Sequence, residues 1–325
     1  MIKPIAIVAG EPNSISSEII FKSWKLKKNY PHKPFFIIGN IEILKLQKKK
    51  LNFKINIKEI DKKFKIKDIK GNFLPVYNVN YKQKNAFQKI SIKSNKYIIS
   101  CFDAAIYLLK NKKILGLINC PIKKETLFKK KHKGITEYLA EKFKNKGNEV
   151  MIIFNKKLSV SPITTHVPIN KISELLNKNV IIKKAQTINK FYLQHFKIKP
   201  KIHILGLNPH NFSESKNSEE KKYIEPAIKI LKRMKIKVEG PVSADTSFLF
   251  NKKNMPEVII GMYHDQVLSP FKAIFKYDAI NITLGLPFIR ISPDHGVAEN
   301  IVGKNIANPN SLIESIKFFN LIKET

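Results

Sequence analysis

The chain has almost no arginine. Of its 60 basic residues only Arg233 and Arg290 carry a guanidinium, and the rest are lysine. Nucleic-acid readers usually rely on arginine for two-pronged contacts to guanine and phosphate. A formal charge of +35 is therefore weak support for dedicated nucleic-acid recognition. Lysine runs through the chain beside isoleucine and asparagine, as in residues 45–70, the pattern of a compositional bias laid over a solvated surface. Such a charge still attracts anions, phosphorylated small molecules included. Cysteine is as scarce: Cys101 and Cys120 form neither a disulfide framework nor a zinc-ligand spacing, and they suit a reducing compartment. No run of about 18 apolar residues occurs, so no membrane span is expected. The apolar stretch before Glu11 is too short for a signal peptide, and a soluble, cytoplasmic protein is expected. A G-x-G-x-x-G fingerprint is missing too, so a dinucleotide would have to be bound in another way.

What is present suits a large folded enzyme. Hydrophobic residues make up 43% of the chain and aromatics 10%, enough for a core, and 325 residues exceed what one core usually supports. Apolar runs at 5–10, 35–40, 111–122, 149–154, 201–208, 256–263 and 279–286 alternate with helical patterns such as 16–25 and 225–235. Continuous apolar runs are buried on both faces, so the expectation is an α/β fold with a mostly parallel sheet covered by helices. Residues 45–95 show only weak, lysine-rich alternation. Residues 213–222 read as a polar surface loop, and the charged segment 121–134 as a connector near a domain change.

Three histidines close apolar runs: His166 in SVSPITTH, His210 in IHILGLNPH and His264 in MPEVIIGMYH. Neutral imidazole is the commonest metal ligand, and three of them leave an open position on a divalent cation for substrate or water. Their intervals match no local ligand motif, so chance placement at strand ends stands as the alternative. Arg290 lies in NITLGLPFIRISPDHGVAEN, where a planar fork would suit a carboxylate or phosphate, or a structural ion pair. Asp294 and His295 could orient a substrate or cofactor hydroxyl, or Asp294 could cap a following helix. Asp245, in GPVSADTSF, could accept a proton, support a metal ligand, bind cofactor hydroxyls or cap a helix. Asp265, directly after His264, reads as a support for its neighbour rather than a ligand. The turn GEPNSIS at 10–16 could cradle a phosphate at a helix N-terminus.

With these segments in order, the chain resembles the 4-hydroxythreonine-4-phosphate dehydrogenase family of pyridoxal phosphate biosynthesis. CPIKK, TEYL, TTHVPI, GLNPH, GPVSADTSF, MYHDQ and NITLGLPFIRISPDHG carry the likeness through most of the length. The resemblance implies two α/β/α domains with a central cleft, like isocitrate and isopropylmalate dehydrogenases, in a homodimer with its active site at the interface. It implies a divalent cation (zinc, magnesium or cobalt) on His166, His210 and His264, and substrate contacts from Thr136, Lys272, Asn281 and Arg290. Lys124 matches the lysine of the family's GPxxK-type segment, and either Lys124 or Asp245 would move the proton. Asp294 and His295 would contact NAD or NADP. The first domain would comprise residues 1–125 with 300–325, and the second residues 126–299. The implied reaction oxidises the C3 hydroxyl of 4-phosphooxy-L-threonine to a 3-keto acid, which decarboxylates to 3-amino-2-oxopropyl phosphate. Ile135 stands where the family has histidine, and Val267 where it has glycine; these departures keep open a related four-carbon substrate, threonate or erythronate 4-phosphate. A polyanion-binding protein with a non-catalytic enzyme fold is the reading from another class. Specific nucleic-acid and membrane partners are not expected.

Overall fold

Runs such as IAIV and FFIIG have no polar face, so only a position between two covering layers can bury them. The computed structural model describes residues 3–128, 134–212, 217–249, 256–276 and 278–322. The described strands are β1 (Ile5–Val8), β2 (Phe35–Gly39), β3 (Ile57–Ile60), β4 (Leu74–Asn78), β5 (Gly116–Asn119), β6 (Val150–Phe154), β7 (Ser159–Pro162), β8 (Ile202–Leu205), β9 (Val238–Val242), β10 (Val258–Gly261), β11 (Ile280–Leu284) and β12 (Ile289–Pro293). The α-helices are α1 (Ser16–Lys25), α2 (Ile41–Lys50), α3 (Asn95–Lys110), α4 (Lys124–Phe128), α5 (Ile135–Lys142), α6 (Ile172–Leu175), α7 (Lys178–His195), α8 (Glu225–Arg233), α9 (His264–Phe275) and α10 (Asn310–Leu321). The fold is α/β, as expected.

The chain forms two compact units. The first holds residues 1–149 and 286–321, the second residues 150–285 with 322–325. In the first unit the strand order is β3-β4-β2-β1-β5-β12, and every pairing is parallel. Asn40 caps α2 by accepting from the Ile43 N–H at 3.0 Å. In the second unit the order is β11-β6-β7-β10-β8-β9. There β7, β10, β8 and β9 run parallel, while β6 is antiparallel to both β11 and β7.

The unit borders differ from the expected 125 and 300, for a packing reason. Ile135, Tyr138 and Leu139 of α5 are buried in the same cluster as Phe102, Ala105 and Leu117, with Leu286 and Phe288 packed against it. The Tyr138 hydroxyl also donates to Asp103 Oδ1 on α3 at 3.1 Å. Apolar area thus holds 134–149 and 286–299 in the first unit. Val267 replaces the family's glycine without strain, because it is helical in α9 and fully buried against Val160, Ile259 and Phe271. Among the described residues no helix is long and apolar enough to cross a membrane.

The 10–16 turn departs from its expected role. It is buried throughout, and at its centre lies Glu11, a fully buried carboxylate rather than an anion receptor. Gly10 (φ 74°) lets the turn approach β5, since a Cβ there would lie 2.4 Å from the Pro121 carbonyl oxygen. Glu11 Oε1 accepts from the Asn13 N–H and Oε2 from the Ser94 hydroxyl, which also donates to the Ser91 carbonyl. Burial still pushes the Glu11 pKa up, against these hydrogen bonds. A carboxyl with a raised folded-state pKa binds more protons folded than unfolded, so its contribution is lost as pH rises. Glu11→Gln keeps both hydrogen bonds, with its amide donating to Ser94 Oγ. The expected outcome is a melting temperature equal to wild type near pH 4.5 and higher by a few degrees near pH 8, measured by calorimetry across pH.

Candidate active site

Three neighbouring parallel strands, β7, β10 and β8, end at one edge of the second unit's sheet. The turn after each carries one of the predicted histidines: His166 follows β7, His264 follows β10 and His210 follows β8. Carboxyl-end turns of parallel strands are where α/β folds place ligands. Topology therefore brings to one edge what the sequence spreads over about a hundred residues. The histidines do not end the strands themselves; each comes a few residues later, and His264 opens α9. His166 (φ 48°) and His210 (φ 51°) have left-handed backbone, a conformation that costs energy and clusters at functional sites.

The turns are tied to one another by hydrogen bonds. Thr164 donates its hydroxyl and its N–H to the Met262 carbonyl, at 2.8 and 3.1 Å, joining the turns of His166 and His264. Gln266 accepts from the Met262 N–H at 2.6 Å and donates to the Gly206 carbonyl at 2.7 Å, joining those of His264 and His210. Glu220 receives the Leu207 and Asn208 N–H groups and the Asn208 amide. This corrects the surface-loop reading of 213–222: residues 213–216 lie outside the described residues, and Glu220 is fully buried.

The ring geometry of His264 suits ligation at Nε2. His264 Nδ1 lies 2.8 Å from Asp265 Oδ1, and His210 Nδ1 lies 3.6 Å from Asp245 Oδ2. A histidine that donates Nδ1–H to a carboxylate keeps the Nε2 lone pair for a metal and is more basic there. Asp265 thus supports its neighbour, as expected. The His166 and His264 rings face each other with centroids 5.7 Å apart. His210 stands off on an exposed turn, and among the described residues no three His, Cys, Asp or Glu side chains stand close enough to hold one ion. The donor chemistry fits a divalent cation, but the three nitrogens are not gathered. Asp245 also accepts from the Ser243 hydroxyl at 2.7 Å. That bond, with His210 beside it, holds its pKa below the usual carboxylate range. Lys272 is exposed on α9, and Asn281 is half-buried on β11 with its Oδ1 buried and unpartnered.

The first unit holds the remaining candidates. Arg290 on β12 is buried, its Nε donating to Asn119 Oδ1 at 2.8 Å and its Nη1 to Thr136 Oγ1 at 3.3 Å. Burial pulls the guanidinium pKa down to about 10, so it stays charged at neutral pH. The structure thus brings Arg290 and Thr136 together and adds Asn119, which the sequence reading missed. A polar residue closing the apolar strand GLIN was the available signal. Lys124 is exposed, its aliphatic stem beside Gly134 two residues before Thr136. Ile135 is buried in the apolar cluster. Asp294 does not cap the short helical turn at Glu299–Ile301, which follows Ala298 with no side-chain cap. His295 has a buried, unpartnered Nε2, and burial lowers its pKa.

The fold is that of an α/β dehydrogenase. The crystal structure of a 4-hydroxythreonine-4-phosphate dehydrogenase from Klebsiella pneumoniae matches it with a TM-score of 0.84 at 26% identity, covering 98% of this chain and 99% of that one. A terephthalate 1,2-cis-dihydrodioldehydrogenase from Burkholderia xenovorans LB400 shares the fold, with a TM-score of 0.65 at 19% identity over 98% of each chain. The chain belongs to the family described as pyridoxal phosphate biosynthetic protein PdxA, whose model matches residues 31–319. Relatives named 4-hydroxythreonine-4-phosphate dehydrogenase include one from Sulfurihydrogenibium sp. (strain YO3AOP1), 39% identical over 98% of both chains. Another, from Aquifex aeolicus, is 35% identical over 98% of this chain and 97% of its own length. The protein is thus an oxidoreductase of a vitamin B6 biosynthetic family.

Gln266→Ala removes both hydrogen bonds between the two turns. It should cost about 1–3 kcal/mol and speed amide exchange at 206–212 and 262–266, read by hydrogen–deuterium exchange. Gly206→Ala would set a Cβ 2.1 Å from Asn211 Oδ1 and should perturb the same peptides.

Proposed function

We propose that the chain oxidises the C3 hydroxyl of 4-phosphooxy-L-threonine with NAD or NADP and a divalent cation, as its relatives' name suggests. The dinucleotide, when bound, would supply the acceptor for the carbinol hydride, and the hydroxyl proton would pass to a base. The resulting 3-keto acid then loses carbon dioxide to give 3-amino-2-oxopropyl phosphate. The observation that carries the reading is the placement of His166, His210 and His264 on the carboxyl-end turns of three adjacent parallel strands, two of them with Nδ1 facing a carboxylate.

Zinc, magnesium or cobalt bound by these three residues would supply positive charge to the substrate oxygens, lowering the hydroxyl pKa and stabilising the electron-rich carbon left by decarboxylation. Arg290 binds the phosphate or carboxylate, with Thr136 beside it, and Lys272 and Asn281 add further polar contacts. Asp245, which accepts from the Ser243 hydroxyl with His210 beside it, and Lys124 are the two residues proposed for the proton transfer. Asp294 and His295 contact the dinucleotide. A homodimer in the cytoplasm completes the reading.

One observation favours a second substrate. Ile135 points into the apolar core and offers no hydrogen bond where the family has an imidazole, so a four-carbon acid such as threonate or erythronate 4-phosphate remains the runner-up. NADH formation measured on each compound, with a panel of divalent metals, separates the two. Turnover of the amino-free acids alone would overturn the first choice. His210→Ala should weaken cation binding at least about tenfold in equilibrium dialysis while the melting temperature holds. A variant with full metal affinity would show that the ligand assignment is wrong. Asp245→Asn should lower metal affinity by a smaller factor in the same dialysis.

A further inference from the structure

We infer that Glu18 and Lys22 are positioning residues that fasten the segment after β12, residues 294–307, to α1 and so hold Asp294 and His295 where a dinucleotide meets them. The inference rests on the proposed cofactor contacts of Asp294 and His295. The segment leaves the carboxyl end of β12, which runs parallel to β5, and such ends are where α/β sheets place ligands. Beyond Pro293 it carries no strand, and its one helical turn covers only Glu299–Ile301. Ala298 and Asn305 have left-handed backbone, with φ of 49° and 60°, a conformation that a side chain disfavours. Lys304, Asn305 and Ile306 are exposed, so burial of their side chains does not keep them in place. Such a segment keeps one path only if it is held from outside.

α1 and its cap supply that hold. The Ile15 N–H, at the N-cap, donates to the Val297 carbonyl at 3.3 Å. Glu18 and Lys22, four residues apart on one helix face, form an ion pair at 2.8 Å. Glu18 Oε1 accepts from the Ala307 N–H at 2.6 Å, and Lys22 Nζ donates to the Asn305 and Ala307 carbonyls at 3.0 and 2.8 Å. The ammonium has three hydrogens, and Glu18, Asn305 and Ala307 give it three acceptors. The pair thus grips main-chain groups of the segment rather than its side chains, which fixes the path of the chain. Glu18 is 1% exposed, and its Oε2 has no hydrogen-bond partner among the described residues. Loss of Lys22 would leave that carboxylate inside with the Ala307 N–H for company, so the ammonium is the member on which the clasp depends.

Lys22→Met in the full-length protein tests the pair. Amide exchange at 297–307 should quicken in the free protein, while β1, β5 and β12 exchange as in wild type. A segment in place only about a tenth of the time lowers apparent affinity about tenfold. NAD or NADP, whichever the wild type takes, should therefore bind about tenfold more weakly in calorimetric titration. Its KM should rise by a similar factor, with kcat and the KM of the phosphorylated hydroxy acid little changed. Lys22→Arg, which keeps the charge and several donors, should restore most of the affinity. Faster exchange with dinucleotide affinity within about twofold of wild type would mark a merely structural clasp and overturn the inference, as would unchanged exchange. If Lys22→Met does not fold, Glu18→Gln combined with Lys22→Met removes both charges together and is read in the same way. Wild-type protein that binds neither NAD nor NADP would remove the cofactor reading instead, and exchange at 297–307 in the variant would still decide whether the pair holds the segment.

Discussion

Parallel pairing is the constraint on which the rest depends. Strands β7, β10 and β8 share one direction, so their carboxyl-end turns lie at one edge of the sheet, whatever sequence separates them. The same holds in the other unit, where β5 and β12 run side by side and bring Asn119 within reach of Arg290 Nε. Reversal of one strand would send its turn to the opposite edge and leave a histidine or the arginine alone. The antiparallel strand β6 shows the contrast: it meets β7 through a tight connection in which the Asn155 N–H donates to the Leu158 carbonyl, and no candidate ligand lies on that turn.

Around this frame each unit buries its polar groups in pairs. Glu220 and Gln266 each satisfy two or more backbone or amide groups, and Thr164 donates twice to the Met262 carbonyl. Arg290 is treated in the same way by Asn119 and Thr136. Buried polar groups left unmatched cost far more than matched ones gain, so these residues hold the turns to one conformation. The exceptions are informative. Among the described residues eleven buried side-chain atoms have no hydrogen-bond partner, and Asn281 Oδ1 and His295 Nε2, two of the set proposed to meet substrate or cofactor, are among them.

Much of this was legible in the sequence, and the rest was hidden for physical reasons. The strands that read clearly, such as IAIV, FFIIG and VIIG, are central and buried on both faces, so their apolar runs are unbroken. β3 was invisible because it is an edge strand whose middle residues, Lys58 and Glu59, face solvent. The family words located the histidines, Arg290 and Thr136, but the partners that position them lie far off in the chain. Asn119 is 171 residues from Arg290, and Gln266 is 60 from Gly206. No local pattern encodes such a pair. Glu220 was misread for a related reason: its neighbours in sequence are serine, glutamate and lysine, and the donors that make its burial tolerable, the Leu207 and Asn208 N–H groups and the Asn208 amide, come from another turn.

The Gln266 amide has one more consequence. With its oxygen committed to the turn of His264 and its nitrogen to that of His210, the two segments cannot lose order independently. Whatever stills one of them leaves less conformational entropy for the other to surrender, so successive ordering events on this edge share their entropic cost.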